Sequence, residues 1–192
     1  MFLNHTKYDY LVALKDNFDL IYNELDTALK MEDIRKILYN SDDNVDYYTV
    51  FWARDNGFHP EQVGYDIREG DYSTLAIYKK DFPIRTVNIE QYFPKTIELI
   101  NKYVPNVHLI SFFRMAPHAK LLEHTHNRKH LIFHMMLKDL VNGSCELVCG
   151  NETLHLKNKG DTALFDYTIP HSAYNNCESE RINLVVDFDP FS

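Results

Sequence analysis

The residue types able to do chemistry crowd into the C-terminal half of the chain. His124-Thr125-His126 sets two imidazoles two positions apart. Along a strand the side-chain period is two, so both rings would leave one face and could reach one ion. His171, arriving from a later strand, could supply a third nitrogen. Neutral imidazoles without thiolates suit Fe(II), Zn, Cu or Ni, and a facial set that keeps open positions is the geometry of non-haem iron oxygenases. The plainer alternative is a group of surface histidines on a polar loop. Arg181 is the second candidate. It opens the apolar run Arg181 to Phe188, and a guanidinium drawn into such a strand loses its water and needs an anion. Asp166 or Asp187 would be the structural partner, an anionic small molecule the functional one.

Elements able to hold these side chains follow from periodicity. Leu11, Leu14, Phe18, Ile21, Leu25 and Leu29 recur at three- and four-residue spacing and predict one helix face. Asp33 to Leu38 extends the helical character until the polar stretch Asn40 to Asp46 ends it. Tyr47 to Phe82 alternates weakly around Trp52 and suggests short strands and loops. Phe93-Pro94-Lys95-Thr96 opens another helix, proline being suited to a first turn, and Pro105 stops it. Beyond Val107 come short strand candidates: His108 to Phe113, His130 to Leu137, Cys145 to Cys149, Thr153 to Leu156, Thr162 to Phe165 and Ile182 to Phe188. Their spacing predicts a mainly β protein, a sandwich or barrel of antiparallel sheets with N-terminal helices over one outer face. Without repeats or a Pro/Gly/Ser-rich linker, residues 1–192 are expected to form a single domain. Within it, 1–105 would be a helical and irregular support region and 106–192 the main part of the β core carrying the site.

Composition narrows the partners. Ten histidines among 192 residues is an excess, and five of them fall between His118 and His134. A balance of 20 Lys+Arg against 28 Asp+Glu, formal net charge -8, has the wrong sign for grasping phosphates, so no nucleic-acid partner is expected. An anionic ligand in such a chain requires a locally positive pocket. No run approaches the roughly 18 to 20 apolar residues of a membrane span, and Met1 to Tyr10 lacks the features of a signal peptide, so a cytoplasmic location is expected. Three cysteines, Cys145, Cys149 and Cys177, suit a reducing compartment, and no second pair joins Cys145 and Cys149 to make a zinc site.

Phe165-Asp166 and His171, then Arg181 ten positions on in an apolar strand ending at Asp187, resemble the corresponding phrase of the aspartyl/asparaginyl β-hydroxylase family of Fe(II)- and 2-oxoglutarate-dependent oxygenases. Upstream, Phe93-Pro94-Lys95-Thr96 resembles the family's Pro-x-Thr helix start, and Phe112 to His124 its segment carrying an iron-binding histidine. The resemblance covers roughly residues 90 to 190. It implies a double-stranded β-helix, a jelly-roll of cupin type, with Fe(II) and 2-oxoglutarate as cofactors and dioxygen plus a small-molecule or peptide substrate as partners. His124 and His171 would bind iron, Arg181 would pair with the distal carboxylate of 2-oxoglutarate, and His134 would assist there. The reaction implied is hydroxylation of an unactivated C–H bond, with β-hydroxylation of an aspartyl, asparaginyl or related side chain first among substrates.

Three positions depart from the family pattern. His126 stands where the family has Asp or Gly, and is a candidate third metal ligand. Ile132 stands where an arginine is common, with Arg128 or His130 as nearby substitutes. Phe113 and Pro117-His118 stand where a serine and a Pro-Gly turn are often found. Two other readings share the fold. His124-x-His126 with His171-x-x-x-Asn175 is similar to cupin motifs of isomerases, other dioxygenases or ligand-binding proteins, and the departures fit a homologue acting as a binding module. Substrate contacts would come from the surroundings of Tyr47-Tyr48, Trp52, Arg54 and Arg68.

Overall fold

A computed structural model describes residues 1–39, 68–80, 89–126 and 129–190. The N-terminal apolar stripe does not form one continuous helix. It is divided into α1 (Asp9–Asp16) and α2 (Phe18–Ala28) at Asn17, whose side-chain amide donates to the Ala13 carbonyl at 2.8 Å and closes the first helix. The stripe survives the break, because Leu11, Leu14, Ile21 and Leu25 are all buried. Helix α3 (Glu32–Tyr39) follows. Helix α4 (Pro94–Tyr103) begins with the predicted proline in its first turn. Its open N–H groups are met from another element: the Glu24 carboxylate on α2 accepts from Lys95 N at 3.0 Å and Thr96 N at 2.8 Å, a favourable place for a negative charge.

Ten strands occur among the described residues. They are β1 (Arg68–Glu69), β2 (Tyr72–Lys79), β3 (Val107–Met115), β4 (Lys120–His124), β5 (Leu131–Met136), β6 (Cys145–Cys149), β7 (Glu152–Leu156), β8 (Thr162–Asp166), β9 (His171–Asn175) and β10 (Arg181–Phe188). One sheet runs β2-β3-β10-β5-β8 and the other β1-β4-β9-β6-β7, with antiparallel pairing throughout. Strands β3 to β10 thus alternate between the sheets in pairs, which is the winding of a jelly-roll, the double-stranded β-helix. The segment from Tyr72 to Lys79, ahead of the β-rich half, adds an edge strand to the first sheet.

Strand β10 is buried on both faces, and its alternation decides what each face does. Ile182, Leu184, Val186 and Phe188 pack with Leu11, Leu14, Ile21, Leu25, Phe93 and Ile100 beneath the helices. Burying each such side chain contributes roughly 1.5–3 kcal/mol. Val185 points the other way, into a cluster between the sheets with Leu147, Cys149, Phe165 and Ala173. By the period of two, Arg181, Asn183 and Asp187 share that inner face. One turn shows why its residue type matters: Gly143 has φ +147°, and a Cβ there would stand 2.5 Å from the Asn176 carbonyl oxygen.

Candidate metal centre

The second sheet brings two of the three histidines together by register alone. His124 on β4 and His171 on β9 are direct cross-strand partners, with ring centroids 4.3 Å apart. The ladder is irregular between Leu121 and His124, a bulge of the kind that re-aims a side chain. Both rings are fixed in the same manner. His124 Nδ1 lies 2.8 Å from the Leu122 carbonyl and His171 Nδ1 2.8 Å from the Ile169 carbonyl. A carbonyl can only accept, so each Nδ1 carries the proton and each Nε2 presents its lone pair to the interior.

His126 arrives differently from the expectation. It does not share a strand with His124, because β4 ends at His124, and the two-residue parity therefore does not apply. Its backbone N–H donates to the Tyr167 carbonyl at 3.1 Å, and its ring lies against the Tyr167 ring at 4.4 Å. The outcome is nonetheless a trio: His124, His126 and His171 each offer one nitrogen, and these atoms lie within 4.8 Å of one another. Burial is the main cause that lowers all three pKa values. It takes His171 down to about 3 and His126 well below the ordinary imidazole range, with the neighbouring histidines adding to the effect. Three neutral, converging imidazoles are a donor set for a divalent transition metal.

Arg181 lies at the start of β10 and is 1% exposed. Its Nη1 donates to Cys145 Sγ at 3.0 Å, and its Nε has no hydrogen-bond partner among the described residues. Neither structural carboxylate serves it. Asp187 accepts from His130 Nδ1 at 2.8 Å and from the Tyr167 hydroxyl at 3.0 Å; six residues along a strand also place it about 20 Å away. Asp166 accepts from the Thr168 N–H and hydroxyl. Arg114, another buried arginine of the same sheet, shows the contrast. It has two carboxylates, Asp71 at 2.7 Å and Glu180 at 2.9 Å, and Glu180 also binds Lys138.

His134, on β5, lies near both Arg181 and His171. It is 5% exposed, its ring stacks on Phe165 at 5.7 Å, and Phe165 also touches His171 at 5.1 Å. Burial first, then the proximity of the Arg181 cation and of His171, holds it well below the ordinary imidazole pKa. Asn183 Nδ2 donates to His134 Nδ1 at 3.4 Å, so the proton of the neutral ring sits on Nε2. Two further polar groups on this face were not foreseen from sequence. Among the described residues Asn183 Oδ1 and Ser111 Oγ are buried without hydrogen-bond partners, and Ser111 and His134 flank Val185 across the sheet. The available signal was parity, Asn183 standing two residues after Arg181 and Ser111 two before Phe113.

The other sequence candidates fall as follows. His130 is bound to Asp187, and Ile132 is buried between the sheets. Asn175, of the cupin-like phrase, donates to the carbonyls of Met115, Ala116 and Ser179 and so ties strands together. His118 takes φ +61°, the left-handed turn conformation that glycine would adopt without strain. Tyr47, Tyr48, Trp52, Arg54 and Arg128 lie outside the described residues, and Arg68 contributes its backbone to β1. Among the described residues no helix is long and apolar enough to cross a membrane.

The chain is similar to several solved structures. A predicted oxalate decarboxylase from Thermotoga maritima is 15% identical over 63% of this chain and 83% of its own, with a TM-score of 0.44. The cupin domain of Cnp3 from Schizosaccharomyces pombe is 10% identical over 61% of this chain and 60% of its own, TM-score 0.42. A cupin superfamily protein from Desulfitobacterium hafniense is 12% identical over 62% and 79%, TM-score 0.40. Comparison with curated proteins gives no match. The family model described as aspartyl/asparaginyl beta-hydroxylase matches residues 15–190, a span that includes the histidine trio, His134 and Arg181. The chain belongs to the aspartyl/asparaginyl β-hydroxylase family.

Proposed function

We propose that this protein is an Fe(II)- and 2-oxoglutarate-dependent hydroxylase acting on an unactivated C–H bond, with an amino-acid or peptidyl side chain as substrate. The observation that carries the reading is Arg181, a buried cation with, among the described residues, an unpaired Nε and no carboxylate, on the inner face of a barrel that also gathers three neutral imidazoles. A desolvated guanidinium without an anion is costly. It is therefore an anion seat whose anion is a ligand.

Roles follow from position. His124 and His171, each oriented by a backbone carbonyl, hold the metal, and His126 adds the third imidazole. Cys145 occupies Nη1 of Arg181, which leaves the Nε–Nη2 edge for a planar, two-pronged grip on a carboxylate. His134 lies across from Val185 of β10 on the same inner face, and Asn183 and Ser111 supply buried polar groups in need of partners. When bound, iron and 2-oxoglutarate supply with dioxygen the oxidising power that turns C–H into C–OH, the cosubstrate leaving as succinate and carbon dioxide. The protein's own contribution is to orient the cosubstrate and to surround the reacting position with Phe165 and Tyr167.

The third imidazole favours one other reading, a cupin-type metal protein of different activity or a binding module, since three neutral ligands leave the site one negative charge poorer than one with a carboxylate. Turnover separates them. Supplied with Fe(II), 2-oxoglutarate, air and a panel of amino acids and peptides, the protein should release succinate and add one oxygen to one class of substrate, read by mass spectrometry. Consumption of no 2-oxoglutarate across the panel would favour the cupin reading.

A further inference from the structure

Asp187, His130 and Tyr167 form a buried cluster at the opposite end of β10 from Arg181, and of the three only Tyr167 also borders the histidine trio. Asp187 is 2% exposed, His130 7% and Tyr167 0%. The carboxylate receives His130 Nδ1–H at 2.8 Å and the Tyr167 hydroxyl at 3.0 Å. His130 is in turn stacked on His108, ring centroids 4.2 Å apart. Satisfying a buried aspartate would be reason enough for these contacts. What exceeds that purpose is the other end of Tyr167.

Tyr167 is held to Asp187 by its hydroxyl and to His126 by its backbone carbonyl, and its ring lies along the His126 ring at 4.4 Å. His126 lies beyond the end of β4, so no strand ladder places it as register places His124 and His171. The geometry points to Asp187, Tyr167 and His130 as positioning residues for His126: a strut that reaches from the end of β10 to the third member of the histidine trio and sets its ring toward the metal. His124 and His171 have carbonyls to orient them; His126 has an aromatic ring anchored by a carboxylate. This inference rests on the reading of the trio as a metal centre, and it assigns the cluster to that centre instead of to core stability.

The test is a double-mutant cycle on metal affinity, which needs neither cosubstrate nor turnover. Co(II) alone is titrated into wild type, Tyr167→Phe, His126→Ala and the double variant, with the visible Co(II) spectrum recorded at saturation. Tyr167→Phe keeps the ring and deletes the hydroxyl. It should weaken Co(II) binding about 10- to 100-fold, the scale of a lost orienting contact, and alter the Co(II) spectrum. In the His126→Ala background the same substitution should change affinity less than about twofold, since the residue it orients is gone. Asp187→Asn, which keeps size and removes the charge, should move in the same direction as Tyr167→Phe. Equal losses in both backgrounds, or wild-type affinity in Tyr167→Phe, would overturn the positioning role while leaving the metal centre intact. Failure of the wild type to bind Co(II) would overturn the centre itself, and this role with it.

Discussion

Arg181→Met is expected to weaken 2-oxoglutarate binding at least about 30-fold while leaving the metal-free protein as stable as the wild type or more so. The two effects have one cause. In the unliganded molecule the guanidinium is 1% exposed, its Nε is unpaired and a thiol is its hydrogen-bond acceptor. Methionine fills similar space without a charge to desolvate, and replacement of buried charges by apolar side chains is often neutral or stabilising. With ligand, the balance reverses. Truncating one partner of a buried, hydrogen-bonded charge pair costs about 2–5 kcal/mol, or roughly 30-fold to several-thousand-fold in affinity. Thermal melts and anaerobic calorimetry with 2-oxoglutarate measure both halves. A large fall in melting temperature without ligand would mean that the guanidinium is a structural strut, as Arg114 is between Asp71 and Glu180.

His171→Ala is expected to weaken metal binding more than about 100-fold, beyond the loss usual for an outer-shell partner, and to flatten the acid sensitivity of the metal-free protein. Burial, chiefly, holds His171 at about 3 in the folded state, against an ordinary 6.5. Above pH 6.5 neither the folded nor the unfolded chain protonates it, and it has no effect on stability. Below 6.5 the unfolded chain takes up the proton and the folded one does not, so stability falls as the pH falls, until the folded-state value near 3 is reached. Each such histidine contributes a slope of about 1.4 kcal/mol per pH unit. His124, His126 and His134 are lowered in the same direction. Alanine at 171 removes one of these slopes, and denaturant melts between pH 6.5 and 4.5 should show it. An unchanged pH dependence would mean that His171 titrates freely in the folded protein.

Much of the barrel could be read from the chain because its strands obey simple alternation or continuous apolarity. Cys145 to Cys149 matches β6, and Ile182 to Phe188 matches β10 apart from the arginine that opens it. Strands β4 and β9 were not delimited, since they carry the histidines and their polar, bulged sequences have no apolar period to detect. The break at Asn17 was invisible because the apolar stripe runs on through it. His124, His126 and His171 were candidates by type and spacing and Arg181 by its place in an apolar strand, whereas His134 entered only through the family resemblance. The route by which His126 joins the others was not legible, because it depends on Tyr167, about 40 residues away in sequence, and on no local pattern. Nor could the chain reveal that Asp166 and Asp187 are engaged elsewhere, which leaves Arg181 without either of them as a structural partner.

The most direct measurement is an anaerobic titration of the protein with Fe(II) and 2-oxoglutarate, followed in the visible region. A weak charge-transfer band should appear only when both are present, saturate at one equivalent of each, and be absent from Arg181→Met. Bound Fe(II) with no band at any 2-oxoglutarate concentration would contradict the hydroxylase reading and leave a metal-binding cupin of another kind.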